Sequence, residues 1–148
     1  MRGFTTLEVL LSIAVLIILS AIVIGAFATF RDARELDRAV DEIFTLVREA
    51  RSRTLSSEGD SQFGVHFETS NSVLFKGATF TMGAPNNKTL ILSNRVEIFA
   101  INILGSDVVF ERLTGDANPS GDVSVRLKAD PSESKTIIIN SSGLIYVQ

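Results

Sequence analysis

Glu8 is the residue whose type and position most invite chemistry in this chain. It stands at the head of an apolar run, and from Val9 to Phe30 there follow roughly 22 residues without a charge, about the length needed to cross a hydrocarbon layer. An ionisable group at such an edge is costly and points to a function with a partner. Two chemistries fit. Thr5 and Glu8 have the T-x-x-E spacing of a capping box, in which hydroxyl and carboxylate satisfy the free amides at a helix start. Alternatively, the carboxylate meets a cation in the apolar phase, where two charges that are each expensive cost much less together. The nearest candidate cation is a free amino terminus created by cleavage just upstream.

The other candidates for chemistry are weaker. His66 is the single histidine and there is no cysteine, so it has few partners for nucleophilic or zinc chemistry and reads as a surface or half-buried strand residue. Glu111 lies close in sequence to Asp107 and Asp116, but acid–base work by a carboxylate pair needs a pocket. Asp116, Asn118 and Asp122 place three oxygen-bearing side chains within one loop. They are candidate calcium ligands, although Asp, Asn, Pro and Gly are also what a turn requires. Arg126, Lys128 and Lys135 fall on two neighbouring expected strands, where roughly three phosphate contacts would give only weak, salt-sensitive nucleic-acid binding. No glycine loop of phosphate-binding type precedes a helix. The chain reads as no enzyme, with no cofactor and no resident metal.

The elements that must position these residues follow from hydrophobic patterning. The 148 residues are 45% hydrophobic with a formal net charge of −3, which suits one anchor and one small domain and offers nucleic acid no general attraction. About 118 residues follow the apolar run, enough for a single core. That core has no disulfide to help it.

The run passes without a break into an amphipathic pattern. Ala33, Leu36, Val40, Ile43, Phe44, Val47 and Ala50 recur at three- and four-residue spacings on one helical face. Arg34, Arg38, Asp41, Glu42, Arg48 and Glu49 lie on the other. Arg38 with Glu42 and Glu49 with Arg53 form i,i+4 pairs, each contributing about 0.2–0.5 kcal/mol. The pattern predicts one helix from about Leu7 to Leu55, on the order of 70 Å long, with Gly25 as a soft point that weakens the interior by about 1 kcal/mol.

Ser56 to Ser61 carries turn residues, after which the period changes to two. Phe63, Val65 and Phe67 alternate with Gly64, His66 and Glu68 as a half-buried strand, with a turn at Thr69 to Ser72. Further strands are expected at Val73 to Lys76, Ala78 to Met82, Lys88 to Leu92, Val96 to Ile103, Val108 to Arg112, Asp122 to Ala129, Lys135 to Asn140 and Leu144 to Val147. Turns are expected between them, among them the whole of Gly115 to Gly121. Short strands separated by such turns predict an antiparallel sheet or a small sandwich. The fold class is therefore α+β, a long N-terminal helix whose second half packs on antiparallel sheet.

Gly3-Phe4-Thr5-Thr6-Leu7-Glu8 followed by a long apolar run resembles the N-terminal signature of type IV prepilins and type II secretion pseudopilins. The stretch Val108 to Gly115, then Ser120-Gly121, then Ile137 to Gly143, resembles the C-terminal half of the H-type minor pseudopilins (GspH/FimT). Together with the helix end at Arg48 to Arg53, these cover most of the chain. The resemblance implies cleavage by prepilin peptidase between Gly3 and Phe4, N-methylation of Phe4, and a charge pair between Glu8 and the Phe4 amine of a neighbouring subunit. Many relatives carry proline where Gly25 stands.

The implied organisation is a leader at 1–3, a transmembrane and filament-core helix half at 4–30, an amphipathic half at 31–55, and an extracytoplasmic antiparallel β-domain at 56–148, the pilin-like fold. The implied function is that of a minor pilin or pseudopilin, a structural subunit of a type II secretion pseudopilus or type IV pilus. It would rest as a single-pass protein in a bacterial inner membrane, with its β-domain in the periplasm or outside. Its implied partners are other pilin or pseudopilin subunits, prepilin peptidase, an inner-membrane assembly platform and the membrane itself. DNA is not an expected partner: some H-type pilins that serve DNA uptake carry basic residues after the last glycine, whereas here Gly143 is followed by Leu144-Ile145-Tyr146-Val147. Two alternatives remain, a DNA-binding or adhesive module displayed by a pilus, and a signal-anchored extracytoplasmic domain with an unrelated ligand. In a related reading, Ala26-Phe27-Ala28 resembles a signal-peptidase site that would release a domain beginning at Thr29, although the apolar run exceeds the usual 7 to 15 residue signal core.

Overall fold

The computed structural model describes residues Thr5–Gln148, apart from the side chains at positions 25, 26, 28 and 29. Gly3 and Phe4, on which the expected cleavage and methylation fall, lie outside the described residues. One helix, α1 (Thr6–Leu55), accounts for all of the α-helical structure among them. It contains no proline, it continues through position 25, and it carries both expected i,i+4 pairs. Arg38 Nε lies 2.9 Å from Glu42 and Arg53 Nη2 lies 2.7 Å from Glu49. It ends where Ser57 turns into the left-handed region at φ 51°, followed by one short 3₁₀ turn at Glu58–Asp60.

The chain divides into two compact units, one running to Arg34 and the other from Glu35 to Gln148. In the first, the helix is apolar around its whole circumference. The stretch Thr6–Ile24 has a mean hydropathy of 2.9 and none of it is buried, so it is long and apolar enough to cross a membrane.

The second unit is built on the amphipathic remainder of α1. Leu36, Ala39, Val40, Ile43, Leu46, Val47 and Ala50 are buried, and each of the larger side chains contributes about 1.5–3 kcal/mol by leaving water. The stripe is displaced from the expected one. Ala33 is exposed and Phe44 half-buried, while Ala39, Leu46 and Thr54 are buried. A surface helix buries a face wider than a single i, i+3, i+4 ladder, which brings Ala39 and Leu46 into it.

Nine strands follow, β1 (Phe63–Phe67), β2 (Asn71–Lys76), β3 (Lys88–Ile91), β4 (Val96–Asn102), β5 (Asp107–Phe110), β6 (Ala117–Asn118), β7 (Gly121–Leu127), β8 (Ser134–Ile139) and β9 (Ile145–Val147). They form two antiparallel sheets, in the orders β3-β2-β1-β5-β6 and β4-β7-β8-β9. Of the two expected arrangements, a single sheet or a small sandwich, the chain therefore has two sheets. Val65 pairs with Leu74 on one side and Val108 on the other, and Val123 pairs with Ile137. Alternate residues of both sheets join the helix stripe in one hydrophobic cluster, including Val65, Phe67, Leu74 and Phe110 from the first sheet and Ile98, Val123, Val125 and Ile137 from the second.

Three expectations about the strands and turns are corrected. Ala78 to Met82 forms no strand. Both sides of the preceding strand β2 are already taken, by β1 and β3, so this segment cannot pair back on the strand it follows despite its β-forming composition. It instead lays the Phe80 ring against His66 and Phe75. The expected turn from Gly115 to Gly121 contains the two-residue strand β6, in which Ala117 pairs with Phe110. The turn after β1 is also shorter than expected, since Asn71 and Ser72 already belong to β2. Glu68 N–H donates to the Asn71 carbonyl at 2.9 Å to close it.

Thr54 links helix and sheet. Wholly buried, its hydroxyl donates to the Ala50 carbonyl at 3.0 Å and accepts the Phe63 N–H at 2.9 Å, which sets where β1 begins. Thr54→Val keeps the shape but leaves that buried N–H without its acceptor. It should lower unfolding stability by about 1–3 kcal/mol with helix and strand content retained, as read from urea unfolding of the full chain in detergent.

Candidate functional site

Glu8 sits in the first turn of α1. Its backbone N–H donates to the Thr5 hydroxyl at 3.3 Å, so the threonine half of the capping box is in place. Ser12 and Ser20 return their hydroxyls to the carbonyls of Glu8 and Leu16, at 2.8 and 2.7 Å. Both serines thereby satisfy themselves within the helix. Among the described residues no cation pairs with the Glu8 carboxylate. It lies exposed beside Leu7, Leu10 and Leu11, which are themselves mostly exposed. The result is one acidic group at the end of a bare apolar surface, an arrangement suited to association in an apolar phase.

At the other end of the helix the residues quoted for the C-terminal motif come together. Arg51 donates from Nε to the Gly115 carbonyl at 3.0 Å. Gly143, at φ 72°, packs against that same carbonyl and against Arg51 Nε, so closely that a Cβ at position 143 would overlap Gly115 O. The final hairpin is closed by Gly143 N–H to the Asn140 carbonyl at 2.8 Å, and its Ser141 carbonyl accepts the Ala117 N–H at 2.9 Å. Two glycine turns far apart in sequence thus interlock on the helix end. Sequence reading picked out the turns and the basic helix end separately. The contact between them depends on backbone approach, which residue types do not reveal.

The remaining candidates are dispersed. His66 is half-buried on β1, its Nδ1 facing Asp107 Oδ1 at 2.5 Å and its Nε2 3.5 Å from Glu68, with Phe80 stacked at 4.1 Å. Asp107 is thereby engaged with the histidine, away from Glu111. Glu111 and Asp116 meet through their backbones, N–H to carbonyl at 2.8 Å. Of the candidate calcium ligands, Asp116 lies in the turn before β6, Asn118 in β6 of the first sheet, and Asp122 in β7 of the second. The Asp122 carboxylate accepts from Asn102 at 2.9 Å. Among the described residues no three histidine or acidic side chains gather as a metal site.

The expected basic spot is largely neutralised. Arg126 pairs with Glu97 at 2.7 Å and covers the ring of Phe99, and Lys135 pairs with Asp37 at 2.7 Å. The Glu49 carboxyl is held below its usual range, chiefly by the hydrogen bond from Lys88 and further by the charges of Lys88 and Arg53, against the opposing effect of burial.

No protein-family model and no curated protein matches the sequence. Among solved structures the chain is similar to the type IV minor pilin FimU of Pseudomonas aeruginosa. In one crystal form the TM-score is 0.62 at 14% identity, covering 80% of this chain and 92% of FimU. In another the TM-score is 0.59 at 13% identity, covering 76% and 92%. It is also similar to the minor pseudopilin EpsH from the type 2 secretion system of Vibrio cholerae, with a TM-score of 0.57 at 12% identity over 77% of this chain and 96% of EpsH. At these identities the likeness is one of fold, and the chain has the minor-pilin fold.

The interlock of the two glycine turns gives a direct expectation. Gly143→Ala forces a side chain into left-handed backbone and into the Gly115 carbonyl. It should cost about 3 kcal/mol, seen as a clear drop in the thermal unfolding midpoint. An unchanged midpoint would mean that the turns are not locked together.

Proposed function

We propose that this chain is a minor pilin or pseudopilin, a non-enzymatic structural subunit of a type IV pilus or a type II secretion pseudopilus. The observation that carries the reading is the bare apolar helix Thr6–Ile24 with Glu8 at its head, in a chain that otherwise has the minor-pilin fold. Such a helix must be solvated by lipid or by other helices, and a pilin subunit uses both in turn. The precursor rests in the inner membrane with residues 56–148 in the periplasm. Prepilin peptidase cuts after Gly3, Phe4 becomes the methylated terminus, and an assembly platform moves the helix from lipid into the filament core.

Within that core the Glu8 carboxylate pairs with the Phe4 amine of a neighbouring subunit. The pairing lowers the cost of holding both charges away from water. Because an unpaired partner is strongly penalised, it also favours one register between subunits. The display of a nucleic-acid site is the weaker reading, since Arg126 and Lys135 are already occupied by carboxylates.

The test is the intact mass and N-terminal sequence of the mature protein from cells with and without prepilin peptidase. A methylated terminus at Phe4 that depends on the peptidase is expected. A terminus at Thr29, or an uncut Met1, would sink the filament reading. Glu8→Ala should leave the protein folded and membrane-anchored while reducing its incorporation into filaments several-fold. Normal incorporation would count against the charge pair.

A further inference from the structure

The last hairpin leaves an open strand edge beside a cationic groove. β9 ends the second sheet, and among the described residues no strand lies beyond it. Its hydrogen-bonding phase can be read from the residue that follows it. Gln148 and Thr136 exchange both backbone bonds, at 2.9 and 3.0 Å. In an antiparallel ladder such pairs alternate with pairs that exchange none, so Tyr146 opposite Ile138 is the next bonded pair. Ile145 opposite Ile139 and Val147 opposite Ile137 are the intervening ones. The Asn140 N–H bond to the Leu144 carbonyl, 2.9 Å, keeps the same phase at the other end. The N–H and C=O groups of Ile145 and Val147 therefore point away from β8, toward the open side.

Beside this edge runs a groove of about 470 Å³, lined by Phe44, Arg48, Arg51 and Leu55 of the helix and by Leu144 and Ile145 of the hairpin. Leu144 is 60% exposed, and Tyr146 and Val147 are exposed as well. The protein is acidic as a whole, yet this groove has two guanidiniums and no carboxylate in its lining. Arg51 is fixed by the Gly115 carbonyl, and the Arg48 guanidinium lies 5.6 Å from the centre of the Phe44 ring. Edge strands are ordinarily blunted by shortness, lysine, proline or a bulge. Ile145-Tyr146-Val147 is short but carries none of the other three.

We propose that the β9 edge and this groove accept an extended acidic segment of another polypeptide as an added strand. The guest backbone pairs with Ile145 and Val147, and because successive side chains of a strand face opposite ways, every second residue of the guest faces the groove, where its carboxylates reach Arg48 and Arg51 beside Phe44 and Leu55. Strand addition takes affinity from backbone hydrogen bonds and selectivity from the pockets for alternate side chains. With only a short edge on offer, the two arginines supply most of the selection. A nucleic acid would use the cations but not the strand edge, and two guanidiniums neutralise too few phosphates for firm binding.

The test uses the full chain in detergent micelles and a labelled peptide of alternating valine and glutamate, followed by fluorescence anisotropy. Saturable binding is expected, with the matching valine–lysine peptide at least about ten-fold weaker. Val147→Pro removes an N–H that β8 does not use. It should cost about ten-fold or more in binding while leaving the unfolding midpoint unchanged. Arg48→Glu, at an exposed helix position, should weaken the glutamate peptide and strengthen the lysine one. It keeps the test decisive if the proline variant fails to fold. No saturable binding, equal binding of the two peptides, or full binding by folded Val147→Pro would each overturn the proposal. So would a short single-stranded oligonucleotide that binds in preference to the peptide and loses affinity in Arg48→Glu, because the groove would then be an anion site without strand addition.

Discussion

A helix segment that is apolar on every side and buried on none has to find a solvent other than water, and that requirement governs the first unit of this protein. Over Thr6–Ile24 nothing inside the molecule covers the side chains. The backbone is satisfied within the helix, and the hydroxyls of Ser12 and Ser20 fold back onto carbonyls one turn earlier. A segment with its polar groups satisfied internally is what a hydrocarbon phase or a bundle of like helices accepts. The Glu8 carboxylate is the charge left over, and its position at the end of the segment keeps the cost of insertion low while leaving it open to a partner.

The second unit obeys the complementary rule. From Leu36 onward the same helix is apolar on one face, and that face is covered by residues of both sheets in a single cluster. The helix end is then held in three ways. Thr54 takes the first amide of β1, Arg51 takes the carbonyl of Gly115, and the turn at Gly143 closes over that carbonyl. The first joins the helix to the strand that follows it and the others to turns distant in sequence, so the last turns of α1 form the point at which the sheets and the final hairpin are referenced to one another.

Charge on this unit is mostly spent within it. Glu49 with Lys88, Glu97 with Arg126, and Asp37 with Lys135 are close pairs between elements. Exposed pairs of this kind contribute little to stability, but they remove cations from use by a polyanion. The groove beside β9 differs because its two guanidiniums have no carboxylate in the lining, which sets it apart from the rest of an acidic surface.

Much of this architecture is determined by local pattern. A run of uncharged residues headed by Glu8, a three- and four-residue apolar repeat, and a change to period two after Ser61 specify an anchor, an amphipathic helix and an antiparallel domain without reference to any contact. The position of Glu8 was likewise legible, because the cost of a charge at an apolar edge depends on sequence neighbours alone. Only the tertiary structure decided which strands share a sheet, why Ala78 to Met82 is left without a ladder, and that β6 exists. It also decided that Arg126 and Lys135 are neutralised and that Gly115, Gly143 and Arg51 meet. These outcomes depend on residues dozens of positions apart competing for the same hydrogen-bonding edges and the same charges, and local periodicity carries no information about which competitor wins.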